Sequence, residues 1–85
     1  MDAIKEPIRS YILTEHLPGE SPANLTDETP LRTSGILDSM ATLGLVAFLE
    51  QTFGISIDAH ETGVENFDRI QDIAALVSRK QGKEG

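Results

Sequence analysis

The chain has 85 residues, 39% of them apolar, enough for one small core and too few for a second. Fourteen acidic residues against seven basic give a formal net charge of −7. That balance disfavours nucleic acid and anionic membrane surfaces, which both select clustered Lys and Arg, and favours partners with basic surfaces.

A first helix is expected over residues 3–17, where Ile4, Ile8, Tyr11 and Ile12 share one face at helical spacing. Asp2 is a candidate cap. Pro7 removes one backbone donor. The helix therefore either starts ahead of Pro7 and absorbs the loss in its early turns, or starts at Pro7 itself. Pro18 and Gly19 end it. Residues 18–37 are rich in turn formers, among them Pro22, Asn24, Asp27, Pro30, Ser34 and Gly35. The connection is long for a compact domain. Leu25, Leu31, Ile36 and Leu37 are spaced along it, so it is read as an ordered loop that packs across the bundle.

A second helix is predicted over residues 40–53, with Asp38 or Ser39 as N-cap and Gly54 as a left-handed stop. Thr42, Leu45, Val46, Leu49 and Phe53 form its core face. Met40, Leu43, Ala47 and Phe48 lie elsewhere on the wheel, more apolar surface than one stripe needs. Phe48 is assigned to the contact with the first helix. Met40, Leu43 and Ala47 are either covered by loop residues such as Leu31 or Leu37, or form an exposed patch for a partner. Glu50 is the one charged residue in the helix.

Residues 54–57 alternate like a strand but have no second strand to pair with, so they read as a connector with Ile55 and Ile57 turned inward. Residues 58–67 are polar, with Val64 and Phe67 as anchors and one short helical turn. Asp68-Arg-Ile-Gln71 has the form of a capping box for a last helix. Ile70, Ile73, Ala74 and Val77 give that helix its apolar face, and Arg79 and Lys80 suit its negative end. The tail, residues 81–85, is expected to fray. The sum is an all-α single domain over residues 1–85, with an ordered core of about 3–80: a helical bundle of three main helices and one short one, with a long ordered loop between the first and second.

No Cys is present, which excludes disulfide scaffolds, thiolate metal sites and Cys nucleophiles. His16 and His60 invite a hydrolase triad with Ser39 and Asp38, but a chain this short has little material for a walled site with oxyanion donors. Both are expected at the surface, and neither has the spacing of a metal ligand pair. Asp58, Glu61 and Glu65 lack the spacing of a calcium loop and read as solvated acids or a minor contact for basic partners. Residues 1–7 lack the basic and apolar regions of a secretion signal, and no apolar run reaches the length of a membrane span. A cytoplasmic protein is expected.

The chemistry concentrates at Gly35-Ile-Leu-Asp38-Ser39-Met40. A Ser opening a helix faces solvent, and the free N–H groups there favour a negative group attached to it. The helix dipole contributes about 0.3–1 kcal/mol to such a group. Alone, Asp38-Ser39 also serves as a plain helix cap. The wider pattern is an acidic chain with a first helix, a long loop, Asp-Ser-Met opening a second helix and a Gln-containing cap before a last one. It resembles the acyl carrier protein family, which includes the peptidyl carrier proteins. The match is densest from Asp38 through Gly54 to Ile57.

The resemblance implies an acyl-carrier-type fold, no catalytic residues and a covalent cofactor. That cofactor, 4′-phosphopantetheine from coenzyme A, is attached to Ser39 and holds an acyl or aminoacyl group as a thioester. It implies a phosphopantetheinyl transferase as loading partner, an adenylating ligase or acyltransferase as charging partner, and tailoring or condensing enzymes downstream. Asp38, Met40, Leu43 and Ala47 become docking residues of a monomeric carrier. Fatty-acid-synthase carriers bear acids along the second helix, where this chain has Ala41 and Gly44. The apolar helix is more similar to peptidyl carriers. Thr29-Pro-Leu31, and His60-Glu-Thr-Gly63 followed by Phe67, are similar to free-standing carriers of natural-product pathways, including prolyl and pyrrolyl carriers. A fatty-acid carrier and an unmodified helical adaptor are the alternatives.

Overall fold

The computed structural model describes residues 2–17 and 19–82. Helix α1 spans Asp2–His16, α2 Ser39–Phe53, α3 Val64–Phe67 and α4 Ile70–Gly82, with 3-10 turns at Pro22–Asn24 and Ala59–Glu61 and no strand among the described residues. α1 starts ahead of Pro7, which lies inside the helix. The bond given up is the one to the Ala3 carbonyl, in the opening turns, where it costs least. Asp2 is itself helical, and Pro18 lies outside the described residues.

Ile8 and Ile12 of α1 are fully buried, with Ile4 and Tyr11 packed at the edge of the core. α1 lies chiefly against α4 and also meets α2, while α3 packs on α4. Leu45 and Leu49 bring α2 into the same core, and Val46, Phe48 and Phe53 flank it half-buried. Leu25, Leu31 and Leu37 are each no more than 1% exposed, so the long loop is part of the core rather than a cover over it. Ile55 is buried and Ile57 half-buried, as the connector reading requires.

Three expectations are corrected. Val64 is 45% exposed and anchors little, whereas Phe67, three residues on, is fully buried. In so short a helix only one side meets the core, and Phe67 takes it. The helix α4 runs past Lys80 to Gly82, so the tail holds helical form for two more residues, and 83–85 lie outside the described residues.

The third correction concerns Asp68, which does not cap α4. Its carboxylate accepts hydrogen bonds from the backbone N–H groups of Arg32 and Thr33, both at 2.9 Å, and from the Thr33 hydroxyl at 3.2 Å. Its carbonyl accepts from Leu31 N–H at 2.6 Å, and Gln71 N–H donates to the Asp27 carbonyl at 3.1 Å. The first turn of α4 is instead closed on the Arg69 carbonyl, by Asp72 and Ile73 N–H at 3.0 Å. The Arg32 and Thr33 backbone donors must be satisfied somewhere, and Asp68 offers them a carboxylate. Asp27 supplies the complementary tie at the loop's other end. It bonds Lys5 Nζ at 2.9 Å and pairs with Arg9, whose Nε also donates to the Leu25 carbonyl at 3.2 Å.

These contacts set an acid sensitivity. The Lys5 hydrogen bond holds Asp27 below the ordinary carboxylate range, the Thr33 N–H does so for Asp68, and the Lys80 hydrogen bond does so for Glu61. A depressed folded-state value contributes stability that is complete above the unfolded value and disappears as pH falls through the folded one. The urea midpoint is therefore expected to hold level down to about pH 5 and to fall below about pH 4. Asp68→Asn should start lower and fall less steeply; a fall parallel to the wild type would remove Asp68 from this account.

Candidate functional site

Ser39 is the first residue of α2, and its exposed position is fixed from both sides. Upstream, Leu37 is buried and its N–H donates to the Leu31 carbonyl at 2.8 Å, which pins the end of the loop. Gly35 turns the chain there with φ of +87°, a conformation that side chains resist. Asp38, just ahead of Ser39, is the N-cap and holds the turn that follows. Its carboxylate accepts Ala41 N–H at 2.8 Å, while its carbonyl accepts the Thr42 N–H at 2.9 Å and the Thr42 hydroxyl at 2.8 Å. A cap of this kind is worth about 0.5–2 kcal/mol. Thr42 is 4% exposed, so α2 is seated in the core one turn below Ser39. At its far end Gly54 takes the left-handed conformation expected, with φ of +66°.

Ser39 opens onto a shallow cleft that it lines together with Arg32, Thr42, Leu43 and Thr62. Arg32 Nη1 donates to the Thr62 carbonyl at 2.7 Å, joining the loop to the segment before α3 across this cleft. Neither Arg32 nor Thr62 stands out in the sequence. Their contact spans thirty residues and no local spacing encodes it.

Met40 is 76% exposed and Leu43 61%, and Ala47 is exposed as well. Leu31 and Leu37 are spent in the core and do not cover them. Phe48 stacks on Tyr11 with ring centroids 4.4 Å apart, as assigned. Glu50, the one charge on α2, turns its carboxylate to the Ile57 N–H at 2.8 Å. A Cβ at position 44 would stand 3.1 Å from the Tyr11 hydroxyl, so Gly44 leaves room for that ring.

His60 is exposed in its 3-10 turn. His16 departs from expectation: it is half-buried, its ring meets Tyr11 edge-on at 5.9 Å, and its Nε2 is buried without a partner among the described residues. The Tyr11 ring, one turn back on the same helix, covers it. Neither histidine lines the Ser39 cleft. Glu61 is engaged rather than merely solvated, accepting Lys80 at 2.6 Å and the Asp58 N–H at 2.9 Å.

Residues 13–77 match the family described as the phosphopantetheine attachment site. A relative from a Serratia species, described as a probable acyl carrier protein, PigG, is 37% identical over 76 residues, 89% of this chain and 86% of that protein. The chain belongs to the phosphopantetheine-bearing acyl carrier protein family. It is a carrier and not a catalyst, and its cofactor is 4′-phosphopantetheine. An exposed hydroxyl beside a cleft that also holds the Arg32 guanidinium fits that group's anionic end. Proteins of this family work with phosphopantetheinyl transferases and biosynthetic enzymes. No helix among the described residues is long and apolar enough to cross a membrane.

Proposed function

We propose that residues 1–85 form one carrier domain, acting as a monomer in the cytoplasm with 4′-phosphopantetheine on Ser39. The arm's terminal thiol holds an acyl or aminoacyl group as a thioester. The observation that carries this reading is the Asp38-capped, exposed Ser39 opening α2 beside a cleft that Arg32 also lines. A tethered arm makes each transfer intramolecular once a partner docks, so the carrier works by raising effective concentration. Incubation with coenzyme A and a broad-specificity phosphopantetheinyl transferase should add the mass of one phosphopantetheine. A folded protein that gains none with several transferases is an adaptor and not a carrier of this kind.

Asp38, Met40, Leu43 and Ala47 are the surface that partners read. An adenylating ligase or acyltransferase charges the arm, and tailoring or condensing enzymes act on the bound group. A natural-product pathway is favoured over fatty acid synthesis by the chemistry of α2, which presents apolar side chains and keeps its single acid in an internal hydrogen bond. Leu43→Glu is expected to lower kcat/KM for transferase loading roughly tenfold, as loss of an interface anchor does. Its melting temperature should stay near that of the wild type, because Leu43 is exposed. Loading at the wild-type rate would take Leu43 out of the docking surface.

A further inference from the structure

Most cations of this acidic chain have an acidic partner close by. Lys5 and Arg9 pair with Asp27, Arg69 with Asp72, and Lys80 with Glu61. Arg32 differs. It is half-buried, and no carboxylate pairs with its side chain among the described residues. Its backbone is held by the Asp68 carboxylate at 2.9 Å, and its Nη1 is committed to the neutral Thr62 carbonyl at 2.7 Å. A guanidinium carries five N–H donors in a planar fork, so one such bond fixes its plane and leaves donors for an anion. Arg32 and Ser39 wall the same cleft. A pre-oriented cation without a counter-ion thus faces the space beside the one hydroxyl proposed for modification.

We propose that Arg32 is a binding residue for the prosthetic arm, taking the phosphodiester on Ser39 in a charge-assisted hydrogen bond. The first part of the arm is then seated in the cleft against Thr42 and Leu43. The Thr62 carbonyl acts through Arg32, as the residue that sets its orientation. This inference rests on attachment at Ser39.

The test uses wild type, Arg32→Gln and Arg32→Lys, each loaded from coenzyme A and verified by intact mass. Both substitutions keep the backbone N–H that Asp68 accepts. In the wild type the Arg32 Nε–H resonance should move between the unloaded and loaded forms. The 31P resonance of the loaded wild type should be displaced from that of Arg32→Gln, with Arg32→Lys between them. Loading should also raise the melting temperature more in the wild type than in Arg32→Gln. An Arg32 resonance unmoved by loading, with one 31P position in all loaded forms, would overturn the proposal and leave Arg32 as a tie to Thr62. Should Arg32→Gln fail to fold, the wild-type Nε–H shift and the Arg32→Lys spectrum decide. A wild type that gains no mass defeats the attachment reading itself, a result distinct from a loaded protein whose Arg32 is silent.

Discussion

Ser39→Ala is expected to fold as the wild type does and to take up no phosphopantetheine. The fold should survive because the Ser39 side chain is exposed and the cap that starts α2 belongs to its neighbour. Asp38 keeps its bonds to Ala41 and Thr42 in the variant, and Ala is the stronger helix former by a few tenths of a kcal/mol. Stability should therefore change by no more than about 0.5 kcal/mol. Intact mass after incubation with coenzyme A and transferase reads the other half of the expectation: the gain seen in the wild type disappears completely. Ser34, on the same stretch of chain, provides the contrast. Its hydroxyl already donates to the Pro30 carbonyl at 2.6 Å, so Ser34→Ala should load like the wild type. A mass gain retained by Ser39→Ala would move the attachment to another hydroxyl.

Phe67→Ala is expected to cost about 3–5 kcal/mol, the usual loss for a large aromatic cut back inside a packed core. Phe67 is fully buried at the end of α3 and is the largest of the wholly buried side chains. A domain of this kind has about 5–15 kcal/mol to lose. For a chain of this size the melting temperature should fall by roughly 15–30 °C. Val64→Ala, in the same four-residue helix, is the internal control. At 45% exposure it should cost less than half as much. Urea midpoints at unchanged slope would measure both, and equal losses would contradict the burial pattern of α3.

The sequence encodes α2 almost completely, because everything that defines it is local. Asp38 caps it, no Pro interrupts it, Gly54 stops it, and the core face repeats at helical spacing. The loop's leucines were legible for the same kind of reason: apolar residues spaced through turn formers have few places to go but inward. The role of Asp68 is not legible in the sequence, because a local pattern sees only neighbours four residues away. The donors it serves lie 35 and 36 residues back, and a carboxylate satisfied there has no need to cap a helix. Val64 and Phe67 could not be ranked from sequence, since four residues are too few for a moment to show which side faces the core. The surface position of Ser39 follows from its place after the cap. The cleft beside it does not, since Arg32 and Thr62 are brought together only when the loop closes on the segment before α3.

The packing of α1 chiefly on α4 has a consequence for how the protein comes off the ribosome. Ile8 and Ile12 are synthesised early, yet Ile70, Ile73 and Val77, which complete the core around them, follow much later in the chain. At about 5–20 residues per second the apolar face of α1 waits roughly 3–13 s for its partner. Through that interval the nascent chain has no closed core, and a message truncated before α4 yields a polypeptide with its hydrophobic stripe uncovered. The surface of α2 that partners read is therefore finished only after α4 has been made and has packed against α1 and α2.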